Sequence, residues 1–248
     1  MFNIGNLTVI LFSAVASLIA LTVHEYCHGY AAYKLGDNTA RNLGRLTLNP
    51  LRHIDIVGVI TMIFFHFGWA KPVPINARNF KRPKRDFAIT ALAGPLSNIL
   101  LAFLSTPLFL LITTVAIKNS DSISSEFLIK LIYNAILFLQ YFVIINLGLG
   151  VFNLIPLPPF DGSRIINVIL PEKWYFKIMR YERYIYFGVI GWLFLGNYVY
   201  RGLISIQFIA SSPVLSTIAR VFSLSGLISD GISFFTEAFI SFWSLFIH

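Results

Sequence analysis

His24, Glu25 and His28 fall within five residues of one another in "LTVHEYCHGYAAYKLGD", which runs from Leu21 to Asp37. On a helix, positions i and i+4 share a face, so both imidazoles can reach one metal ion. Glu25 projects beside them, where it can take a proton from a water that a zinc ion acidifies. The bland alternative is a helix end with interfacial histidines and a capping carboxylate. The neighbourhood weighs against it. Met1 to Val23 carries no Asp, Glu, Lys or Arg. Ionisable groups in such a segment are costly, about 2.5 kcal/mol or more at the bilayer centre, and are usually functional.

A catalytic zinc site usually has three protein ligands. Of the other uncharged runs, one ends in an obvious candidate: Asp161, in "FNLIPLPPFDGSRI". Pro156, Pro158 and Pro159 forbid a regular helix around it. Broken backbone at membrane depth must be buried in protein or line a watery cavity. Gly162 lets the chain turn closely behind the carboxylate. Taken alone, Asp161 reads better as the N-cap of a helix starting near Gly162. Asn153, eight residues earlier, can donate to a developing oxyanion or bond the carbonyls that the prolines free. The residues leave both readings open.

The elements that must hold these groups are membrane helices. The chain is 56% hydrophobic and 12% charged, against roughly 25% charged residues in ordinary globular domains. Its mean hydropathy is +0.74. The expected class is an all-α polytopic membrane protein with about six hydrophobic segments. Residues 7–33, 87–117 and 131–160 are the first three spans, 184–200 is a shorter fourth, and the apolar stretch after Arg201 holds further membrane segments. Residues 56–70 are too few for a crossing and read as re-entrant or interfacial. Between the first two spans, "RNLGRLTLNP" and "WAKPVPIN" alternate like strands. A small membrane-associated β-sheet is expected there, with "KPVPIN" at its edge because Pro72 and Pro74 cannot donate. The whole of 1–248 reads as one membrane-embedded domain, with its catalytic core at about 7–170 and additional segments over 184–248. With no basic residue ahead of it, the first run reads as a retained helix and not a leader.

The net charge of +8 is an orientation signal, and no nucleic-acid partner is expected. Three stretches, 34–52, 71–85 and 173–183, hold 14 of the 19 basic residues. The positive-inside rule puts them in the cytoplasm and the N-terminus outside. Lys81–Arg85 reads as a solvated face against the lipid bilayer. The single cysteine, Cys27, excludes an internal disulfide. "GPLSN", Gly94 to Asn98, reads as a close-packing and hydrogen-bonding patch against the catalytic helices. His53 and Asp55 read as a pair, and His66 as a locally bonded histidine.

His24-Glu25-Tyr26-Cys27-His28 together with the distant "NLIPLPPFDG" resembles the site-2 protease family of intramembrane zinc metalloproteases. "RLTLNPLRHID", "GWAKPVPINARNFKRPKRD" and "ALAGPLSN" look like its short bacterial-type members, which lack a peptide-binding domain. The likeness covers roughly residues 10–190. It implies that His24, His28 and Asp161 ligate Zn2+ and that Glu25 is the catalytic base. It further implies that Asn153 contacts the substrate strand or stabilises the oxyanion. The substrate it implies is a transmembrane protein, cut in a bacterial plasma membrane. Two rivals are a metal or proton transporter and an idle member that binds membrane proteins. A transporter should carry internal repeats, and the sequence has none. An idle member should have lost Glu25 or a ligand, and all are present.

Overall fold

A computed structural model of the chain describes residues 4–55, 57–58, 70–220 and 223–247. Helix α1 (Ile4–Lys34) contains no proline and ends with Lys34 against its C-terminal dipole. Gly36, at φ 109°, then turns the chain. Helix α2 (Pro83–Lys118) opens with a proline, where no N–H is needed. Asp86 caps it by accepting from the Arg82 N–H at 2.9 Å. Helix α3 (Glu126–Asn153) is capped by the Ser125 side chain. All three are long and apolar enough to cross a membrane. They are followed by α4 (Gly162–Ile169), α5 (Glu172–Ile204) and α6 (Leu224–Ser244). Among the described residues the later helices fall short of that measure, so three segments qualify where about six were expected.

Two stripes of residues spaced four apart explain how α1 and α2 pack. Ala16, Ala20, His24, His28 and Ala32 are buried on α1, and Thr90, Gly94, Asn98, Ala102 and Thr106 on α2. Small and polar groups face inward and let the backbones approach. Leu96, Leu100, Leu104, Leu108 and Leu111 of α2 are exposed, as a lipid-facing surface requires. Leu139, Val143, Asn146, Leu147 and Gly150 turn α3 onto the same core. Helix α6 completes it. Ile232, Phe235 and Phe239 pack on Ala102, Val143 and Leu147, and the Trp243 indole donates to Phe103 O at 3.0 Å.

The expected small sheet does not form among the described residues. A single antiparallel bridge, Ile54 to Ala70, stands in its place. The stretch 59–69, with His66 and most of the expected re-entrant piece, lies outside the described residues. The physical reason is in "KPVPIN". Pro72 and Pro74 have no N–H, and the Val73 N–H is spent on the Glu25 carboxylate at 2.7 Å. The segment is pinned along α1 instead. The Arg45 guanidinium donates to Lys71 O at 2.8 Å, and Asp37 accepts from Asn76 N and Asn79 Nδ2, both at 2.7 Å. Nor are His53 and Asp55 paired: His53 donates to Thr47 O, and Asp55 accepts from the Gly58 N–H.

Asp37 is fully buried, and Thr39 adds two more donors to its carboxylate. Burial acts to raise its pKa, but the hydrogen bonds from Thr39, Asn76 and Asn79 outweigh it and hold the carboxyl below its ordinary value. Asp37→Ala leaves buried donors without partners and should cost about 2–3 kcal/mol. A depressed carboxyl contributes stability above the unfolded-state pKa of about 3.9 and loses it as the pH falls through the folded value. Thermal melting in detergent should therefore show the full gap to wild type at neutral pH and a shrinking gap below about pH 4. A gap that does not change with pH would contradict this role.

Candidate metal centre

Helix α1 delivers His24 and His28 from one face, one turn apart, with 4% and 6% of their surfaces exposed. Asp161 arrives from the other end of the core. Helix α3 stops at Asn153, since Pro156, Pro158 and Pro159 cannot continue it. The chain folds back so tightly that a Cβ at Gly162 would lie 2.5 Å from Ile155 O and closer still to Leu154 O. Phe160 anchors the loop. Its ring meets Phe152 at 4.3 Å and is buried with Val189 of α5 and Leu224 of α6. The Asp161 side chain makes no cap hydrogen bond to α4, so the N-cap reading fails. Its carboxylate turns to the histidines.

Asp161 Oδ2 lies 3.2 Å from both His24 Nε2 and His28 Nε2, and the two Nε2 atoms are 3.0 Å apart. His28 Nδ1 donates to Thr90 O at 2.7 Å, and His24 Nδ1 meets Asn98 Oδ1 at 2.6 Å. Both Nδ1 atoms are thus engaged, and both Nε2 atoms turn toward the carboxylate. The three atoms converge closely enough for one cation, a proton or a metal ion, to be shared among them. A tetrahedral zinc with bonds of about 2.0–2.1 Å sets its ligand atoms about 3.3 Å apart. Two imidazoles and one carboxylate at these separations fit it, and they are the three groups among the described residues that gather as a metal site.

Glu25 does not belong to that gathering. Its Oε2 accepts from Val73 N–H, which fixes the carboxylate beside the ligands. Asn153 is not brought to the three ligands by a hydrogen bond; its amide donates to Leu149 O at 3.0 Å. The N–H groups of Leu154, Ile155, Leu157 and Phe160 all donate to nearby carbonyls of the same segment.

Of the residues around the site, Thr90 was not singled out by the sequence, whereas Gly94 and Asn98 were, as the ends of the packing and hydrogen-bonding patch. Thr90, Gly94 and Asn98 form the wall on α2. A Cβ at Gly94 would lie 2.5 Å from His28 Cε1 and 2.7 Å from His24 Cε1. "GPLSN" carried the signal, since a glycine and an asparagine four apart mark one helix face.

Residues 12–195 match peptidase family M50. Several curated relatives carry the name "Putative zinc metalloprotease". YwhC of Bacillus subtilis is 39% identical over 190 residues, covering 76% of this chain and 83% of the relative. Rip2 of Mycolicibacterium smegmatis is 31% identical over 149 residues, 58% of this chain and 52% of its own. MJ0611 of Methanocaldococcus jannaschii is 29% identical over 175 residues, 67% and 75% respectively. No solved structure matches the chain at a significant level.

Proposed function

The chain belongs to peptidase family M50, and from that premise we propose that it is a zinc-dependent endopeptidase that cuts a peptide bond in or beside the transmembrane segment of another membrane protein. The observation that carries this reading is the convergence of His24, His28 and Asp161 against a helix long and apolar enough to cross a membrane.

His24, His28 and Asp161 would hold the ion. When bound, zinc polarises the scissile carbonyl and acidifies the attacking water. Glu25 accepts the proton of that water and later delivers it to the leaving amine. Val73 N–H keeps one oxygen of Glu25 in place and leaves the other for the proton. Asn153 serves the substrate: released from Leu149 O, its amide donates to the developing oxyanion. The substrate must be extended at the cut, because a carbonyl within an intact helix is already bonded and shielded. The protein works in a bacterial plasma membrane with its N-terminus outside.

The test is cleavage of a single-span model substrate after reconstitution of both proteins in vesicles. Fragment masses should place the cut within or a few residues from the apolar segment, and a zinc chelator should stop it. Cleavage confined to distant soluble flanks, or indifferent to the chelator, would reject the proposal.

Orientation is tested separately. In a Cys27→Ser background, single cysteines at the exposed positions Asn42 and Lys81 should label from the cytoplasmic side. A cysteine at Asp121, beyond α2, should label from the opposite side. Labelling of Asn42 and Lys81 from different sides would mean that residues 56–70 cross the membrane.

A further inference from the structure

Two asparagines that take no part in the proposed chemistry link the three core helices. Asn98 on α2 and Asn146 on α3 are both fully buried. Asn146 Nδ2 donates to Phe142 O at 2.8 Å. Its oxygen accepts from Asn98 Nδ2 at 3.0 Å, and the same Nδ2 donates to Ala20 O of α1 at 3.1 Å. Asn98 Oδ1 then meets His24 Nδ1 at 2.6 Å.

The direction of this chain is fixed by its ends. Which end of a side-chain amide is oxygen must be assigned from its partners. Backbone carbonyls can only accept. Phe142 O therefore requires the NH2 of Asn146, and Ala20 O requires the NH2 of Asn98. Both demands agree, and Asn98 is left presenting its oxygen to His24. An oxygen there requires hydrogen on Nδ1, which leaves Nε2 with its lone pair facing His28 and Asp161. If Asn98 flipped, its oxygen would oppose Ala20 O and the Asn146 oxygen. Its NH2 would then favour the His24 tautomer with hydrogen on Nε2, which cannot ligate through that atom. His28 needs no such relay, because Thr90 O fixes its tautomer in one step.

We infer that Asn98 and Asn146 are positioning residues for the metal, acting as a directional relay that locks His24 into the Nδ1–H tautomer. The relay joins His24 to α3, the helix whose end leads into the loop bearing Asp161. Two ligands from distant parts of the chain are thereby held in one frame. This inference rests on the zinc reading proposed above.

The test compares wild type with Asn98→Leu, Asn146→Leu and a control, Thr106→Val. Thr106 is as buried on the same α2 face, but its hydroxyl bonds only its own helix, at Ala102 O. Zinc affinity is read by chelator competition in detergent. Asn98→Leu should weaken it about 10- to 100-fold, the usual effect of losing the outer partner of a ligating histidine. Asn146→Leu, which does not touch His24, should weaken it in the same direction. Thr106→Val should not. The second readout is the 15N spectrum of histidine-labelled, metal-free protein with neutral imidazoles, His24 being assigned against a His24→Asn variant. Wild type should show His24 protonated at Nδ1, and Asn146→Leu a mixture of tautomers. Wild-type affinity and a single tautomer in Asn146→Leu would overturn the relay, as would an equal loss of affinity in Thr106→Val. If Asn98→Leu does not fold, Asn146→Leu and the wild-type tautomer still decide. If wild type binds no zinc, the functional proposal fails, while the tautomer still tests the relay.

Discussion

Glu25→Gln should abolish peptide hydrolysis while the protein keeps its zinc. Glutamine matches the size of glutamate, and its oxygen can still accept the Val73 N–H that fixes this side chain. It cannot take up a proton. Loss of a general base typically costs a factor of about 10²–10⁴ in turnover. Zinc should stay, because the atoms that gather closely enough to hold it belong to His24, His28 and Asp161 and not to Glu25. Metal content and cleavage rate, measured on the same preparation, separate the two roles. A zinc-free Glu25→Gln protein would make Glu25 a ligand; an active one would remove it from the chemistry.

Gly94→Ala should weaken the metal centre from the opposite helix. The added methyl would sit 2.5 Å from His28 Cε1 and 2.7 Å from His24 Cε1, well inside van der Waals contact. The rings have no easy retreat, because Asn98 and Thr90 hold their Nδ1 atoms. Either α1 and α2 separate or the imidazoles leave their positions. Overpacking of this kind costs about 1–3 kcal/mol, so zinc affinity should fall by roughly 10- to 100-fold. Retention of wild-type zinc affinity in a folded Gly94→Ala protein would contradict the packing described.

The histidine pair was legible in the sequence because its spacing is a helix period and its neighbourhood is uncharged. Asp161 was harder. Its local pattern reads as an N-cap, and only the fold-back at Gly162 turns its carboxylate to the histidines. The α1–α2 interface was nearly invisible to hydropathy, because leucines facing lipid are as apolar as a core. The signal lay in small and polar residues repeating every four positions, from Thr90 to Thr106. "KPVPIN" misled in the other direction. Alternation suggested a strand, but two prolines and a hydrogen bond to Glu25 leave it no ladder. Helix α6 was obscured because Asp230 and Glu237 interrupt its apolar run, while Ile232, Phe235 and Phe239 still carry a packing face. Asn153 had two readings in sequence, and its amide takes neither partner: it bonds Leu149 O, a carbonyl inside α3 and not one that the prolines free. The role proposed for it depends on that bond being exchanged for one to substrate.

X-ray absorption at the zinc edge of the purified wild-type protein reports the ligand atoms directly. A single zinc is expected, with light-atom ligands only at about 2.0–2.1 Å and outer-shell scattering from two imidazoles. A sulfur shell at about 2.3 Å, which would require Cys27, or scattering from a number of imidazoles other than two, would contradict the centre built from His24, His28 and Asp161.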